Sequence, residues 1–377
     1  MGLADRGCMS ATPTTTQLGP DQARLHELLR RLAEATSPDA PILSVYADVR
    51  PEAQGERPGE RNELTMVRDR LRQIGDSLEP HDTAGESFAH DRDRIERLFA
   101  TEDLNAVNGL AVFACHHIGL WEIAGSAAAF ETRVAAGPTA DLFQLARLLD
   151  ESGGAVIGIV DTNTCRLFVT RRGALLERQG RDEPSEEHER TDVGGWSQAR
   201  YQRHIDMQDK RFAKEAAQAI DDLVASEKPE HVILAGDERA LSVLEPELSE
   251  RVRALVKATT TIRMRAGEEE IHDEVAPILA ALEEADGQAV ADRAIAGHRA
   301  GDLGVVGIDA TASALEMGQV DELVIDEAVP IDPELRKELV RQASLTDARV
   351  EVVREHEGLR RHEGVAATLR FRIEPQR

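Results

Sequence analysis

The sequence is poor in cysteine, in aromatic side chains and in long apolar runs, and each shortage excludes a class of protein. The three cysteines, Cys8, Cys115 and Cys165, are odd in number and far apart, which excludes a disulfide framework and a cysteine-rich metal cluster. Aromatic residues make up 3% of the chain, so the core must consist mainly of Leu, Val, Ile and Ala. No apolar run approaches the roughly 18–20 residues that span a bilayer, and residues 1–20 contain no signal peptide or anchor. We therefore expect a cytoplasmic protein that does not use a membrane.

The chain also lacks the positive charge of a nucleic-acid coat protein. Its net charge is −25, with 70 acidic residues against 45 basic ones. Phosphate groups would repel such a surface on average. Any contact with RNA must therefore come from a local basic patch, and the surplus acid must face solvent or a basic protein partner.

The length of 377 residues predicts two or three α/β domains, which we place by composition and periodicity. Residues 1–20 are a flexible tail, residues 21–150 an N-terminal α/β domain, residues 151–262 a middle domain, and residues 263–377 a C-terminal α/β domain. In the first domain, apolar spacing predicts helices over 21–35 and 62–77, a buried strand over 42–49, and two strands within 109–125.

The middle and C-terminal segments show a different order of elements. Residues 155–180 predict a three-stranded meander, residues 181–195 an acidic loop, residues 197–226 a long helix, and residues 231–248 a strand followed by a helix in a mostly parallel sheet. The last segment predicts helices over 268–284 and 288–300, a helix and strand within 304–326, a helix over 332–346, and strands over 349–354 and 365–373.

One short stretch, GGWSQARYQRH at residues 194–204, joins two glycines and a tryptophan to a charged helix. At about 100° per residue, one face of that helix is basic and the opposite face is apolar. From Arg200 to Lys214 the segment has five basic and two acidic residues and rises roughly 21 Å. The glycines permit close backbone approach, and an indole can stack on a base. This pattern predicts contact with RNA, although solvated charged faces are also common on helices.

Several motifs in order resemble the class I release factor and Pelota group of eukaryotes and archaea, in its bacterial relatives. GGWSQARYQRH resembles the Gly-Gly-Gln loop and its helix, and HVILAGDERA (231–240) resembles the strand and turn of the central domain. VGIDATASALEMGQVDELVID (306–326) and VEVVREHEGLRRHEGVAATLRFRI (350–373) resemble the entry and the closing strands of the C-terminal domain. The resemblance implies a ribonuclease-H-like middle domain aimed at the peptidyl-transferase centre. It also implies an N-terminal domain aimed at the decoding centre and a C-terminal α/β sandwich that meets a translational GTPase or the ribosomal stalk.

The sequence departs from that family at its catalytic position. Trp196 stands where releasing members have glutamine, and an indole offers one donor and no acceptor to hold a water. Gln198 is the only weak catalytic candidate, and we expect no catalytic residue, cofactor or metal. The Asn-Ile-Lys-Ser stop-codon motif is absent from the sequence, so codon-specific termination is not expected.

These features favour a ribosome-binding, non-catalytic hibernation factor that occupies the vacant A site under stress. It would act as a monomer, with EF-Tu or another translational GTPase as a partner. The residues expected to contact large-subunit rRNA are Gly194, Gly195, Trp196, Gln198, Arg200, Arg203, His204, Lys210, Arg211 and Lys214. One alternative is a peptidyl-tRNA hydrolase or tRNA endonuclease of ribosome rescue, in which Gln198 positions water. Another is a stress scaffold that binds only proteins.

The remaining polar residues favour structural roles. Asp237, after a strand, is expected to cap a helix, and His116 with His117 to form a turn. His356 and His362 flank a loop with no third ligand. Asp161 follows a buried strand, where a metal carboxylate is conceivable, but no partner acid is in view.

Overall fold

The computed structural model describes residues 16–17, 22–50, 62–101, 107–150, 154–171, 174–182 and 196–371. These ranges contain three β-sheets and eleven α-helices, which confirms the predicted α/β class. No helix within these ranges is both long enough and apolar enough to cross a membrane. The predicted tail, residues 1–20, lies outside them except for residues 16 and 17, which form a short strand.

The N-terminal sheet is built around a strand that is apolar on both faces. β2 (Ile42–Asp48) reads ILSVYAD and is buried along almost its whole length. The other strands are β1 (Thr16–Gln17), β3 (Gly109–Cys115), β4 (Leu120–Ser126) and β5 (Arg133–Gly137). Their order is β1-β4-β3-β2-β5, and every neighbouring pair is antiparallel except β1 and β4. The predicted strands at 42–49 and within 109–125 are confirmed.

Four helices belong to this region, and two of them cover one face of the sheet. They are α1 (Gln22–Glu34), α2 (Asn62–Gly75), α3 (Thr83–Thr101) and α4 (Phe143–Asp150). Val67 and Leu71 of α2 and Ile95 of α3 are fully buried in the core cluster beneath the sheet. The predicted helices at 21–35 and 62–77 are confirmed, whereas α3 and α4 are additional elements.

The middle sheet has the strand order of a ribonuclease-H-like fold. Its strands are β6 (Ala155–Val160), β7 (Thr164–Arg171), β8 (Ala174–Asp182), β9 (His231–Gly236) and β10 (Val256–Thr260), in the order β10-β9-β6-β7-β8. The first three form the predicted antiparallel meander, and β9 and β10 run parallel to β6. The predicted meander and the strand–helix unit are therefore confirmed, but the sheet is half antiparallel and not mostly parallel. Between the strands lie α5 (Trp196–Glu227), α6 (Glu238–Leu244) and α7 (Glu250–Leu255).

The last sheet has four strands. They are β11 (Gly304–Val306), β12 (Val320–Asp326), β13 (Arg349–Val353) and β14 (Val365–Leu369), in the order β11-β14-β12-β13. The helices of this region are α8 (Glu268–Ala300), α9 (Ile308–Glu316), α10 (Pro333–Leu345) and α11 (Glu357–Arg360). The predicted helix at 332–346 and both closing strands are confirmed, although β14 ends four residues before the predicted boundary.

The expectation of two helices over 268–284 and 288–300 is wrong, because α8 runs through both without a break. Gly287 favours a break, but a helical glycine costs only about 1 kcal/mol. The residues before and after Gly287 make side-chain contacts with other parts of the second unit. Asp286 lies 2.9 Å from the His231 imidazole, and Gln288 donates to the carbonyl of Glu355 at 2.7 Å. These contacts stabilise the continuous helix.

Packing divides the chain into two compact units. The first contains Met1–Leu148, Ala294–Glu351 and Glu357–Arg377, and the second contains Leu149–Arg293 and Val352–His356. The second unit therefore holds the ribonuclease-H-like sheet and most of α8. The division into domains at residues 20, 150 and 262 stays a prediction.

Candidate nucleic-acid interface

The helix α5 is amphipathic, and its apolar side is packed on the middle sheet as its spacing predicts. Phe212, Ala216 and Ile220 are 3%, 2% and 0% exposed and belong to the core cluster with β6, β7 and β9. Ala219 and Leu223 are partly buried against the same cluster. The helix begins at Trp196, one residue before its predicted start. This burial orients the opposite side of α5 towards solvent.

The opposite side of α5 presents the cations that the helical projection places there. Lys210, Arg211 and Lys214 are all exposed, and we call these three residues the basic stripe. Met207, one turn before Lys210, is 72% exposed. Arg211 lies 3.7 Å from Glu215, and its side chain remains 68% exposed. Such a surface ion pair is worth less than about 1 kcal/mol, so a phosphate can displace it.

The other expected contact residues fall partly or wholly outside the described residues. Gly194 and Gly195 lie outside them altogether. The backbone of α5 includes five more, but their side chains are not among those described: Trp196, Gln198, Arg200, Arg203 and His204. Their role as contacts stays a prediction.

One cation next to the stripe escaped the sequence reasoning. Arg239, in the first turn of α6, lies 2.7 Å from Asp209 of α5 and keeps a side chain that is 56% exposed. Asp209 is one of the two acids between residues 200 and 214, and it is only 14% exposed. The pair thus neutralises an acid on the helix that bears the stripe. No local pattern could reveal it, because 30 residues separate the partners.

The polar residues near the strand ends have structural roles. Asp237 caps α6 by accepting the Ala240 N–H at 2.8 Å, as predicted. Asp161 accepts the Asn163 N–H at 2.9 Å and so closes the turn between β6 and β7. This contact gives Asp161 a structural role in that turn.

The four histidines considered in the sequence also lie in structural settings. His116 and His117 form the predicted turn, a single 3₁₀ turn between β3 and β4. His356 is nearly buried and lies 3.3 Å from Asp292. His362 packs against the ring of His298, and burial together with that neighbour and two arginines lowers the pKa of His362.

Among the described residues one group of potential metal ligands comes together, in the second unit. The ligand atoms of Glu230, His231 and Asp286 lie within 4.8 Å of one another. His231 is buried, its Nε2 is 2.9 Å from Asp286, and its Nδ1 has no hydrogen-bond partner. The contact between His231 and Asp286 attaches α8 to β9.

Comparison with known proteins identifies the segment that carries the stripe. A family model described as bacterial archaeo-eukaryotic release factor family 10 matches residues 141–280. This segment of the chain is therefore similar to bacterial release-factor-like proteins. The predicted resemblance is confirmed over this segment, which includes all of α5 and the whole middle sheet.

Three solved structures have long alignments to this chain. The archaeal translation termination factor aRF1 is 20% identical over 94% of this chain and 99% of its own, with a TM-score of 0.27. Archaeal Pelota, from a model of its ribosome-bound state with ABCE1, is 16% identical over 93% and 95%, with a TM-score of 0.43. Pelota of Archaeoglobus fulgidus is 16% identical over 71% and 80%, with a TM-score of 0.37. A search of curated proteins finds no match. The ribonuclease-H-like fold of the middle region is therefore assigned from its own strand order.

Proposed function

We propose that this release-factor-like protein is a ribosome-associated translation factor that occupies the vacant A site under stress without catalysing peptide release. The observation that carries the proposal is the family match over residues 141–280. That segment contains the helix whose buried side anchors it to the sheet and whose exposed side bears Lys210, Arg211 and Lys214. The same role would place the protein in the cytoplasm.

Electrostatics support large-subunit rRNA as the surface that α5 contacts. The whole chain has a net charge of −25, so its average surface is repelled by phosphate. The stripe is a local exception, with three exposed cations within five residues of one helix. Lys210 and Lys214 lie about 6 Å apart along the axis, one turn of helix. Arg200 and Arg203 would extend the stripe towards the helix start and the peptidyl-transferase centre.

The residue at the family's catalytic position supports a non-catalytic role. Trp196 replaces the glutamine of releasing members, and its indole cannot accept a hydrogen bond from water. Gln198, two residues later, belongs to the first turn of α5. A peptidyl-tRNA hydrolase or tRNA endonuclease would need Gln198 to take over the positioning of water. A protein-only scaffold would leave the stripe without a ligand.

The names of two structural relatives support a protein partner for this chain on the ribosome. One is archaeal Pelota bound to the ribosome with ABCE1, and another is yeast Dom34, described as interacting with Hbs1. By analogy the C-terminal segment would meet EF-Tu or another translational GTPase, and the N-terminal segment would face the decoding centre. The protein would bind the ribosome as a monomer.

A sedimentation experiment with charge-reversal variants tests the proposal. Purified protein is mixed with vacant 70S ribosomes and centrifuged through a sucrose cushion at low salt. We expect the native chain to pellet with ribosomes and the triple variant K210E/R211E/K214E to bind at least about tenfold more weakly. The matched control is K257E/R263E/R265E, which reverses three exposed cations elsewhere in the second unit.

The outcomes separate the candidate functions. Equal loss in both triple variants would mean a nonspecific charge effect and would contradict the role of the stripe. No association of the native chain with ribosomes would favour the scaffold alternative. Cleavage of peptidyl-tRNA on stalled ribosomes, lost in Gln198→Ala, would replace the non-catalytic proposal with the enzyme alternative.

A further inference from the structure

Two separate stretches of the first unit bring basic side chains together at the end of α8. His298 and Arg299 lie in the last turn of α8. Arg361 and His362 lie in the turn between α11 and β14. The rings of His298 and His362 meet edge to face, with 6.1 Å between their centroids. We call these four residues the C-terminal basic patch. Its two halves are far apart in sequence, so no local pattern indicates it.

The turn that contains Arg361 and His362 is fixed by its backbone. The N–H groups of His362 and Gly364 both donate to the carbonyl of Leu359, at 2.8 and 2.9 Å. Gly364 has a φ of +75°, and a Cβ at this position would lie 2.6 Å from Val329, so the turn requires glycine. The side chain of Leu359 is fully buried. The fold therefore holds this half of the patch in place.

The patch has a positive potential in a chain whose net charge is −25. Burial lowers the pKa of His362. The charges of His298, Arg299 and Arg361 lower it further. A neighbouring positive charge has this effect because it disfavours the charged form of an imidazole. The local surface therefore attracts anions, unlike the average surface of the chain.

Two carboxylates lie beside the patch, and neither neutralises it firmly. Arg361 pairs with Glu357 at 2.6 Å, but the two side chains are 69% and 83% exposed. A pair this exposed adds little stability, so a phosphate can displace Glu357. Glu363 is engaged at the start of α9, where its carboxylate accepts the Ile308 N–H at 3.0 Å. Arg299 forms no ion pair with any acid in the described part of the chain.

The end of α8 accounts for only half of the patch. Cations in the last turn of a helix stabilise its carbonyl end, which is a structural role for His298 and Arg299. Arg361 and His362 come from another segment, and their approach adds repulsion between like charges. A negatively charged ligand would remove this repulsion.

The chemistry of the patch favours RNA over an acidic peptide. Guanidinium groups bind phosphate through paired N–H donors. Imidazole rings and guanidinium planes also stack on unpaired bases, and a carboxylate cannot make that contact. The side chains of His298, Arg299 and Arg361 are exposed, so both kinds of contact are open to a ligand.

We propose that the C-terminal basic patch binds the phosphate backbone of an unpaired RNA strand, with the exposed ring of His298 stacked on a base. This contact goes beyond the proposed function, because it belongs to the first unit and the basic stripe on α5 belongs to the second. The two contacts can therefore be tested separately.

The test uses the full chain with the substitutions K210E/R211E/K214E, so that the basic stripe does not contribute. The probe is a fluorescein-labelled single-stranded oligouridine of about twelve nucleotides, followed by anisotropy at low salt. We expect it to bind, and the added substitutions R299Q/R361Q to weaken binding at least about fivefold. The slope of log affinity against log salt should become shallower by about 1.4, because each single-strand phosphate contact contributes about 0.7.

Two further measurements locate the contact. The matched control is R68Q/R70Q, which removes two exposed cations of α2 in the same unit and should leave the affinity unchanged. NMR titration of the His362 imidazole gives the second measurement. Its pKa should rise when oligouridine is bound, because a nearby phosphate favours the charged imidazole.

Four results would overturn the proposal. They are no binding at about 1 mM oligouridine, equal weakening by R68Q/R70Q, and an unchanged pKa of His362 in the complex. The fourth is tighter binding of an oligoglutamate of the same charge, which would identify an acidic protein segment as the ligand. None of these results affects sedimentation of the native chain with ribosomes, so the proposed function stands or falls on its own experiment.

Discussion

A buried carboxylate organises the turn between β3 and β4. Asp91 of α3 is 1% exposed and accepts the backbone N–H of His116 at 2.7 Å. Ser87, one turn earlier, accepts the N–H of His117 at 3.0 Å. The ring of His90 stacks on that of His116, with 3.8 Å between centroids. Two helix side chains therefore satisfy the backbone of a turn that the sequence marks only by its paired histidines.

Burial raises the pKa of Asp91 above its usual 3.8, although the bond from His116 and the charges of His90 and His116 oppose the shift. A raised pKa in the folded state means that the ionised form is disfavoured there. The contribution of Asp91 to stability is therefore fully present below its unfolded-state pKa and is lost as the pH rises through its folded-state pKa. We expect Asp91→Asn, which keeps an acceptor without a charge, to remove this loss. Urea unfolding between pH 3 and pH 7 measures it.

Asp93→Asn is the control for that prediction, because the Asp93 side chain lies on the same helix and is 61% exposed. It should leave the pH dependence of unfolding unchanged. If Asp91→Asn shows the same pH dependence of unfolding as the native chain, burial of the ionised Asp91 carboxylate does not lower stability, and the prediction is wrong.

At the scale of the element, α5 packs on the sheet with its apolar face and presents cations on the opposite face. Ile220 is fully buried beneath the helix, and Lys214 lies on the exposed side. The apolar face determines whether the helix stays on the sheet, and the basic face determines what the helix contacts. Substitutions on the two faces should therefore have different consequences.

We expect Ile220→Ala to lower the free energy of unfolding by about 2–5 kcal/mol, because it leaves a cavity against β6 and β9. Lys214→Ala should change that free energy by less than about 0.5 kcal/mol and weaken ribosome binding. Urea unfolding and cushion sedimentation of both variants give the comparison. A loss of ribosome binding in Ile220→Ala while it remains folded, with Lys214→Ala unaffected, would contradict the assignment of the two faces.

For the whole molecule, the large negative charge makes any RNA contact local and sensitive to salt. Each phosphate that a cation neutralises releases counterions, so affinity falls as salt rises. Only a few contacts are available to a chain with a net charge of −25. The proposed rRNA contact should therefore show a modest salt dependence that originates mainly in α5.

We expect the plot of log affinity for vacant ribosomes against log salt to become shallower by about 2 in K210E/R211E/K214E. Each of three single-strand phosphate contacts contributes about 0.7 to the slope. Titration of labelled protein at four salt concentrations measures it. An unchanged slope, with affinity reduced equally at every salt concentration, would mean that these cations do not meet phosphates.

Periodicity predicted most elements with strong apolar patterns and missed those without. β2 and the helix α5 have continuous or regularly spaced apolar residues, and both were located to within one or two residues. The helix α3 has long charged stretches, DRDRIER among them, and only Phe88, Ile95, Leu98 and Phe99 reach the core. Its helical state therefore depends on packing against the sheet more than on local pattern.

The sequence by itself determined the class of fold and the two faces of α5, because these depend on spacing and order along the chain. Only the tertiary structure decided that α8 is unbroken and that Arg239 neutralises Asp209. Each of these results depends on groups that lie far apart in sequence. Their contacts become favourable only once the intervening chain has folded, so local propensity cannot predict them.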